Sequence, residues 1–580
     1  MPYFVYDQSI TPPANASEAL LIQAFDYAFL TGSATLNLSS AAYTSYNGIV
    51  LMGNNNIEIG STIFTQSAGI ICNADSSITL TPSATLHSVS QPAIHLQGSG
   101  NKVINDGLIS AVGTAVVASV EGLNTLTNAG TIRAGTIVAA ADRLKIINTG
   151  TMIADGTAVF GGTGNDEIVN SGLIQSNGLL PVALSLGGGE DIYHGEAGLI
   201  IGEVRLGNGN DKAYGGSGSE TFRGDAGDDY LDGGAGIDTA LYSTSEAVTV
   251  DLRNTGWQLT SAATGSDRLI NIENVTSFGA AGDTLIGSNA DNVLTSNGGN
   301  DILEGGLGDD ILDGGNDEDT ARYTGSAAAV VSLELQGQGQ DTHGYGFDTL
   351  IGIENLFGGS GNDIFTGDNN ANRLSGNAGN DVLNQKENDG NDVLDGGSGI
   401  DTVSFSGSAG ATISLALTSA QTTAYGSDIL IGIENLSGGA GHDRFIGNTL
   451  ANTLRGNAGN NTLDGGYGKD VLTGGAGNDT FVFRDRLGSA NVDTITDYNR
   501  TYDSLQLDNR YMSKLGAAGR LSSAKFVLGS AAKDADDHLI YDKAKGCLYY
   551  DADGSGAAAK VLIAQFTNKA ALTYSEFTII

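Results

Sequence analysis

The sequence predicts an all-β protein: a parallel β-helix that runs into parallel β-rolls and is closed by a β-rich C-terminal domain. Three observations predict it. A nine-residue phrase, Gly-Gly-x-Gly-x-Asp-x-U-x with U a large apolar residue, keeps returning between Gly161 and Phe483. Ahead of it an Asn-x-Gly corner recurs at nearly even spacing, at Asn105, Asn128, Asn148 and Asn170. Glycine supplies 86 of 580 residues and proline only 6, which argues against collagen and against proline-rich disorder.

The phrase contains its own folding logic. Clear copies are Gly-Gly-Thr-Gly-Asn-Asp-Glu-Ile-Val at 161–169, Gly-Gly-Tyr-Gly-Lys-Asp-Val-Leu-Thr at 465–473 and Gly-Gly-Ala-Gly-Asn-Asp-Thr-Phe-Val at 474–482. Glycines at positions 1, 2 and 4 permit a tight turn with positive φ. Positions 7–9 form a short strand whose central apolar residue points inward. Two phrases make a coil of eighteen residues, and coils stack. A disordered glycine-rich linker would lack the phased inward residue seen at Leu231, Leu303, Leu312, Phe365, Leu383, Leu394, Phe445, Leu472 and Phe481.

Stacking places the position-6 carboxylates about 4.8 Å apart. Like charges at that spacing repel by roughly 3 kcal/mol per pair at an effective dielectric of about 20. A divalent cation between the turns reverses the sign. Calcium suits the donors, because it takes 6–8 oxygen ligands in flexible geometry, whereas zinc prefers Cys and His. The candidate metal ligands, for several calcium ions, are Asp166, Asp191, Asp211, Asp229, Asp238, Asp301, Asp310, Asp363, Asp381, Asp392, Asp401, Asp443, Asp470 and Asp479. Asn292, Asn372, Asn452 and Asn461 take the same position in weaker copies and are expected to complete the roll with little or no metal. The phrase resembles the RTX (hemolysin-type) calcium-binding repeat. That resemblance implies calcium-binding parallel β-rolls and a secreted protein.

The formal net charge is −39. Residues 1–160 hold 9 acidic and 4 basic residues, 161–483 hold 45 and 11, and 484–580 hold 12 and 12, so the excess sits in the repeat block. No basic patch exists to neutralise phosphates, which excludes nucleic acid as a partner. Cys72 and Cys547 are far apart and are expected to be unpaired. No Lys or Arg precedes Lys102, so no Sec signal peptide is expected. No run of 18 apolar residues predicts a transmembrane segment.

Residues 1–160 read as a cap helix followed by β-helix rungs. Ser17–Leu30 has the pattern of a short amphipathic helix, expected to shield the first strand edge; without a cationic face it does not read as a membrane-surface helix. Each Asn-x-Gly corner follows an alternating strand such as Lys145-Ile-Ile147, and the Asn side chains are placed to stack from rung to rung. The first nonapeptide, 161–169, occupies the same phase as Asp142–Ile147 one rung earlier, so the helix is expected to pass into the roll without a linker.

Residues 161–483 also carry a longer period. Ile272-Glu-Asn-Val275, Ile353-Glu-Asn-Leu356 and Ile433-Glu-Asn-Leu436 recur at nearly equal intervals, each preceded by an Asp (Asp267, Asp348, Asp428). They mark three tandem units, each roughly eighty positions long. Every unit has nonapeptides and an insert expected to stand outside the calcium turns.

Residues 484–580 closely resemble the C-terminal domain of serralysin-type RTX proteins, through Val492–Tyr498, Ala535–Asp542 and Gly546–Gly556. The ending Glu576-Phe-Thr-Ile-Ile580 resembles their type I secretion signal. The resemblance implies export from a Gram-negative bacterium by a type I secretion transporter that engages the C-terminus. Asp551-x-Asp-x-Ser-Gly556 mimics the start of an EF-hand loop, but Leu562 stands where a Glu is needed, so a hairpin turn is expected.

Catalytic residues are not expected. No His-Glu-x-x-His occurs, so the zinc protease activity of serralysins is not implied. The long apolar segments of pore-forming RTX toxins and the Asp-Pro-His of alginate epimerases are also missing. A β-helix lyase or epimerase acting on glycans would have to use His87, His95, Lys102 and Asp106, with His95 and Asp106 facing each other on adjacent rungs. The reading favoured by the sequence is a secreted, non-enzymatic calcium-binding protein that folds outside the cell. It would then contact extracellular polysaccharide or a cell surface as an adhesion, matrix or display element.

Overall fold

The computed structural model describes the strands Phe4–Tyr6, Ala28–Thr31, Thr35–Leu38 and Tyr43–Ser45 and, from Ile49 onward, every residue except 53–54, 61, 66–68 and 91. Strands make up 47% and helix 2%. The chain divides into two compact units, Met1–Asp301 and Ile302–Ile580, each built from parallel coils.

The first unit begins with three strands per coil. Thr114–Ala118, Asn124–Asn128 and Thr131–Ala134 form one rung, and Thr136–Ala140, Leu144–Asn148 and Thr151–Ala154 form the next. Neighbouring rungs pair in parallel and in register, Leu126 beside Ile146 and Ile132 beside Met152. Burial alternates along each strand, so one residue in two fills the core. Asn105, Asn128, Asn148 and Asn170 form a buried ladder: each Nδ2 donates to the next Oδ1, at 2.7, 2.7 and 2.8 Å. This satisfies amides that would otherwise be costly to bury.

The first nonapeptide enters this stack without a break, Ile146 pairing with Ile168 and Lys145 with Glu167. The third face ends with Leu199–Ile201, paired to Leu173–Ser176. Beyond it each coil has two strands, such as Thr221–Ala226 and Tyr230–Asp232. The change follows from length, since an eighteen-residue coil spends two nonapeptides on two turns and two strands. The amphipathic segment Ser17–Leu30 lies outside the described residues except for its last three. Those three are strand rather than helix: Ala28, Phe29 and Leu30 pair in parallel with Ile49, Val50 and Leu51. Alternation suits a rung here as well as it suits a helix face.

In the second unit the two faces of the roll run into residues 484–580. Asp493–Ile495 pairs with Val471–Thr473 on one face, then with Val561–Phe566. Ser504–Leu507 pairs with Thr480–Phe483 on the other, and Phe577–Ile579 follows it. Antiparallel strands Leu539–Asp542 and Cys547–Tyr550 complete the end. Residues 551–560 connect the antiparallel strands Cys547–Tyr550 and Val561–Phe566, as a hairpin requires.

Each tandem insert contains an antiparallel pair: Gln258–Ser261 with Gly265–Ile270 in the first unit, and Gly339–Asp341 with Phe347–Ile351 and Gln421–Thr423 with Gly426–Ile431 in the second. A glutamine on each hairpin clasps a nearby backbone. Gln340 Oε1 accepts the Ser332 N–H at 2.8 Å while its Nε2 donates to Ser332 O at 3.1 Å. Gln258 holds Asp251 and Gln421 holds Ser414 in the same way. A side-chain amide thus stands in for the missing neighbour strand. Cys72 and Cys547 are both free, and burial pushes the Cys72 thiol up to about 12.

Candidate metal centre

All fourteen position-6 aspartates are at most 1% exposed. A charged side chain is almost never buried to that extent without a partner. Half of each partnership is visible. In the first unit Asp166 N–H donates to Asp191 Oδ1 at 2.6 Å, Asp191 N–H to Asp211 Oδ1 at 2.7 Å, and Asp211 N–H to Asp229 Oδ1 at 2.9 Å. Asp238 Oδ1 accepts from Glu220, and Asp301 Oδ1 from Asp283. In the second unit Asp363, Asp381, Asp401 and Glu434 are linked in turn at 2.7, 2.8 and 2.9 Å. Asp392, Asp443, Asp470 and Asp479 accept from Asn372, Ala411, Asn452 and Asn461, and Asp310 N–H donates to Asp348. One oxygen of each carboxylate therefore clamps the backbone of the coil before it.

The second oxygen is the informative one. Oδ2 of Asp191, Asp211, Asp229, Asp381, Asp401 and Asp428 is fully buried and has no hydrogen-bond partner. Asn461 shows what it faces. Its Oδ1 accepts the Asp443 N–H as an aspartate would, and its Nδ2 donates to Gly474 O at 3.2 Å. A Cβ on Gly456 would meet both Asn461 Nδ2 and Gly474 O. A Cβ on Gly438 would likewise meet Asp443 Oδ2 and Gly456 O, and one on Gly358 would meet Asp363 Oδ2 and Gly376 O. In the aspartate coils, an oxygen occupies the amide's place and confronts a carbonyl oxygen. At Asp443 two acceptors face each other with no proton to share, and at Asp363 the Gly359 N–H donates to Oδ2 at 3.1 Å, so the arrangement fits a cation between carboxylate and carbonyl.

At Gly358, Gly438 and Gly456 a side chain at position 1 would fill that cradle, whereas Leu186, Leu206, Ser296 and Glu387 take position 1 ahead of Asp191, Asp211, Asp301 and Asp392. Position 4 adopts positive φ in ten of the fourteen turns, from 108° at Gly299 to 149° at Gly399, but not at Gly164, Gly361, Gly390 or Gly441. Where position 2 turns to positive φ without glycine, it is Asp225, Asn297, Asn377, Asn388 or Asn457, the residue types that tolerate it. The weaker copies are self-contained. Asn372 and Asn452 turn Oδ1 to the N–H of Asp368 and Asn448, and Nδ2 to the carbonyls of Glu354 and Glu434.

Burial pushes Asp191 and Asp229 up to about 8, Asp166 and Asp428 to about 7, and Asp211 and Asp381 to about 6. The ladder N–H bonds oppose the rise and neighbouring carboxylates add to it. Among the described residues no three Cys, His, Asp or Glu side chains already stand together at metal-binding spacing. The donor set is instead paired carboxylate and carbonyl oxygens along the stack, which is a hard-cation set. Asp166, Asp191, Asp211, Asp229, Asp238 and Asp301 would hold it in the first unit. Asp310, Asp363, Asp381, Asp392, Asp401, Asp443, Asp470 and Asp479 would hold it in the second.

The ladder has members that the nonapeptide pattern does not reveal. Asp229 N–H donates to Asp267, Asp310 to Asp348 and Asp392 to Asp428. Asp238, Asp319 and Asp401 donate to Glu273, Glu354 and Glu434. The inserts, expected to stand outside the turns, therefore contribute two acids each. The recurrence of Asp and Ile-Glu-Asn from one tandem unit to the next was the signal that marked them. Asp283 and Asp319 lack glycine at position 4, while Asp493 and Asp503 lie past the repeats and accept from Asp470 and Asp479.

The family model of the RTX calcium-binding nonapeptide repeat (four copies) matches residues 206–240, 279–321, 345–383, 388–403, 428–449 and 446–481. No curated protein matches the chain. The chain thus contains RTX nonapeptide repeats, a known calcium-binding type that is typical of secreted proteins. Asp166 and Asp191 lie outside the matched stretches but share the ladder geometry. Among the described residues no helix is long and apolar enough to cross a membrane.

Proposed function

We infer that the protein is exported unfolded and is then clamped by calcium into a rigid, non-enzymatic solenoid for adhesion or surface display. The observation that carries this reading is the row of buried, unpartnered Oδ2 atoms. Without a cation, ionised carboxylates in those places oppose folding; with one, metal binding and folding become a single event. Extracellular calcium reaches the weak binding range of roughly 10⁻⁴–10⁻³ M that such modules use, so the switch would be thrown outside the cell.

The C-terminal segment supports the same order of events. Phe577 and Ile579 are buried and strand-paired with Leu505 and Leu507, and Glu576 is held by Thr573 and Arg500. A type I transporter would therefore read this segment only before the domain folds. For the solenoid as a display element, the support is on the β-helix. His95 Nε2 meets Ser119 Oγ at 2.9 Å on one sheet and Asp106 follows a strand of another, which supports a display surface over a paired site acting on glycans. A calcium titration followed by circular dichroism and small-angle scattering tests the clamp, beside a screen of acidic polysaccharides for binding and for cleavage. Equal compactness in excess chelator would refute the clamp, and chain cleavage would refute the non-enzymatic role.

A further inference from the structure

The third tandem unit departs from the other two at one place. In the first two units, the insert acid has hydroxyl partners. Thr260 Oγ1 donates to Asp267 Oδ2 at 2.9 Å and Thr342 Oγ1 to Asp348 Oδ2 at 3.3 Å. Tyr242 and Tyr323, four residues after Asp238 and Asp319, are buried close by. In the third unit the residue four after Asp401 is Phe405, and Asp428 Oδ2 has no partner at all.

The turn facing it is also rebuilt. Asp392 follows Asp381 by eleven residues instead of nine, and positions 1 to 6 read Glu387-Asn-Asp-Gly-Asn-Asp392. The extra residues lengthen the strand Val382–Lys386, so that Gln385 points inward beside Phe405. Gln385 Nε2 donates to Asp392 Oδ2 at 3.0 Å, leaving its Oε1 buried and unpartnered. Asp389 Oδ2 accepts the Lys386 N–H at 3.0 Å, leaving Oδ1 buried and unpartnered. Asp392 N–H donates to Asp428 Oδ1 at 3.0 Å. Gln385 and Asp428 are 0% exposed and Asp389 is 8% exposed. The nearest cation, Lys386 Nζ, is engaged by Glu334.

We propose that Gln385 and Asp389 join the ladder acids Asp392 and Asp428 in a calcium site whose ligands differ from those of the regular turns. Three buried oxygens from three side chains lack any donor; Gln385, Asp392 and Asp428 are tied into one hydrogen-bonded group, and Asp389 lies on the same turn as Asp392, held by the Lys386 N–H. A proton or a water can relieve one such oxygen; a single hard cation relieves all three. The amide geometry is already suitable, since Nε2 holds Asp392 while Oε1 is free to ligate. All donors are oxygen, which selects calcium over zinc. Position 3 and the inserted glutamine take no part in a regular nonapeptide, so the site depends on residues that the repeat pattern does not specify.

The site is tested on the full chain with two measurements. Crystals soaked in terbium, an oxygen-seeking calcium substitute, are expected to give an anomalous difference peak between Asp389 Oδ1, Gln385 Oε1 and Asp428 Oδ2. Native mass spectrometry of Asp389→Asn in calcium is expected to count one ion fewer than wild type, with the other ions retained. Gln385→Met, close in volume and without the amide oxygen, is expected to lower the affinity of the same single ion should Asp389→Asn fold poorly. Peaks along the regular turns with none at this place overturn the proposal while leaving the calcium clamp standing. An unchanged ion count in both variants overturns it as well. No peak anywhere would remove both readings together.

Discussion

The backbone N–H of Asp229 donates to Asp267 Oδ1 at 3.1 Å, joining residues 38 positions apart. The first strand and the turn of the first hairpin lie between them, yet the ladder continues as though the insert were one more coil. The clamp uses one oxygen per acid, and an amide oxygen does the same at Asn461. What distinguishes aspartate is the other oxygen.

Replacing that oxygen with an amide separates the two roles. Asp229→Asn keeps the acceptor for Asp211 N–H and gives the buried place a donor. In chelator at pH 8 the variant is expected to gain about 1–3 kcal/mol over wild type, the cost of leaving a buried polar atom unsatisfied. Its calcium-induced rise in Tm is expected to be smaller than that of wild type. Scanning calorimetry with and without chelator checks both signs; an undiminished calcium response would count against Asp229 as a ligand.

The raised carboxyl groups set a pH window. Asp191 and Asp229 move from the ordinary 3.8 up to about 8. The folded state therefore binds more protons than the unfolded state between about pH 4 and 8, and stability falls as pH rises through that range. Metal-free protein is expected to show a lower urea midpoint at pH 8 than at pH 5. Calcium should raise the midpoint more at pH 8, because metal then displaces few protons. A metal-free midpoint that climbs with pH would contradict the buried ladder.

Glycine at position 1 has a spatial role. Gly438→Ala would place a Cβ against Asp443 Oδ2 and Gly456 O, and is expected to cost about 1–3 kcal/mol by overpacking. Gly113→Ala meets nothing within 4 Å and is expected to stay within about 0.5 kcal/mol of wild type. Urea unfolding in calcium compares them directly.

The asparagine ladder is expected to be independent of calcium. Asn148→Asp keeps the acceptor for Asn128 Nδ2 but removes the donor to Asn170 Oδ1 and to Leu173 O. A loss of about 1–3 kcal/mol per unsatisfied group is expected, equal with and without calcium. Hydrogen exchange across residues 124–176 reads this region separately; a calcium-dependent loss would show that the ladder feels the metal.

Local spacing was enough for much of this architecture. The inward apolar phase at Leu303, Phe365 and Phe481, the buried aspartates and the stacking asparagines all repeat at fixed distance along the chain, and a coil is a local object. Where an assignment depended on chain length between distant points, spacing failed. Ala28–Leu30 has a pattern shared by helix and rung, and only pairing with Ile49–Leu51 decides between them. Asp267, Glu273 and their counterparts join the ladder because the hairpins close and return the chain to register.

Repetition in the chain therefore determined the fold class, the coil and the kind of donor offered at each turn. The tertiary structure alone decided which oxygen is left unpaired at Asp191, Asp211 and Asp229, where the third face ends at Ile201, and that Gln385 and Asp428 both bond to Asp392. The physical reason is that periodicity records what each coil does by itself. Partnership between side chains on opposite sides of a whole insert depends on how the intervening loops close, and no local pattern encodes that closure.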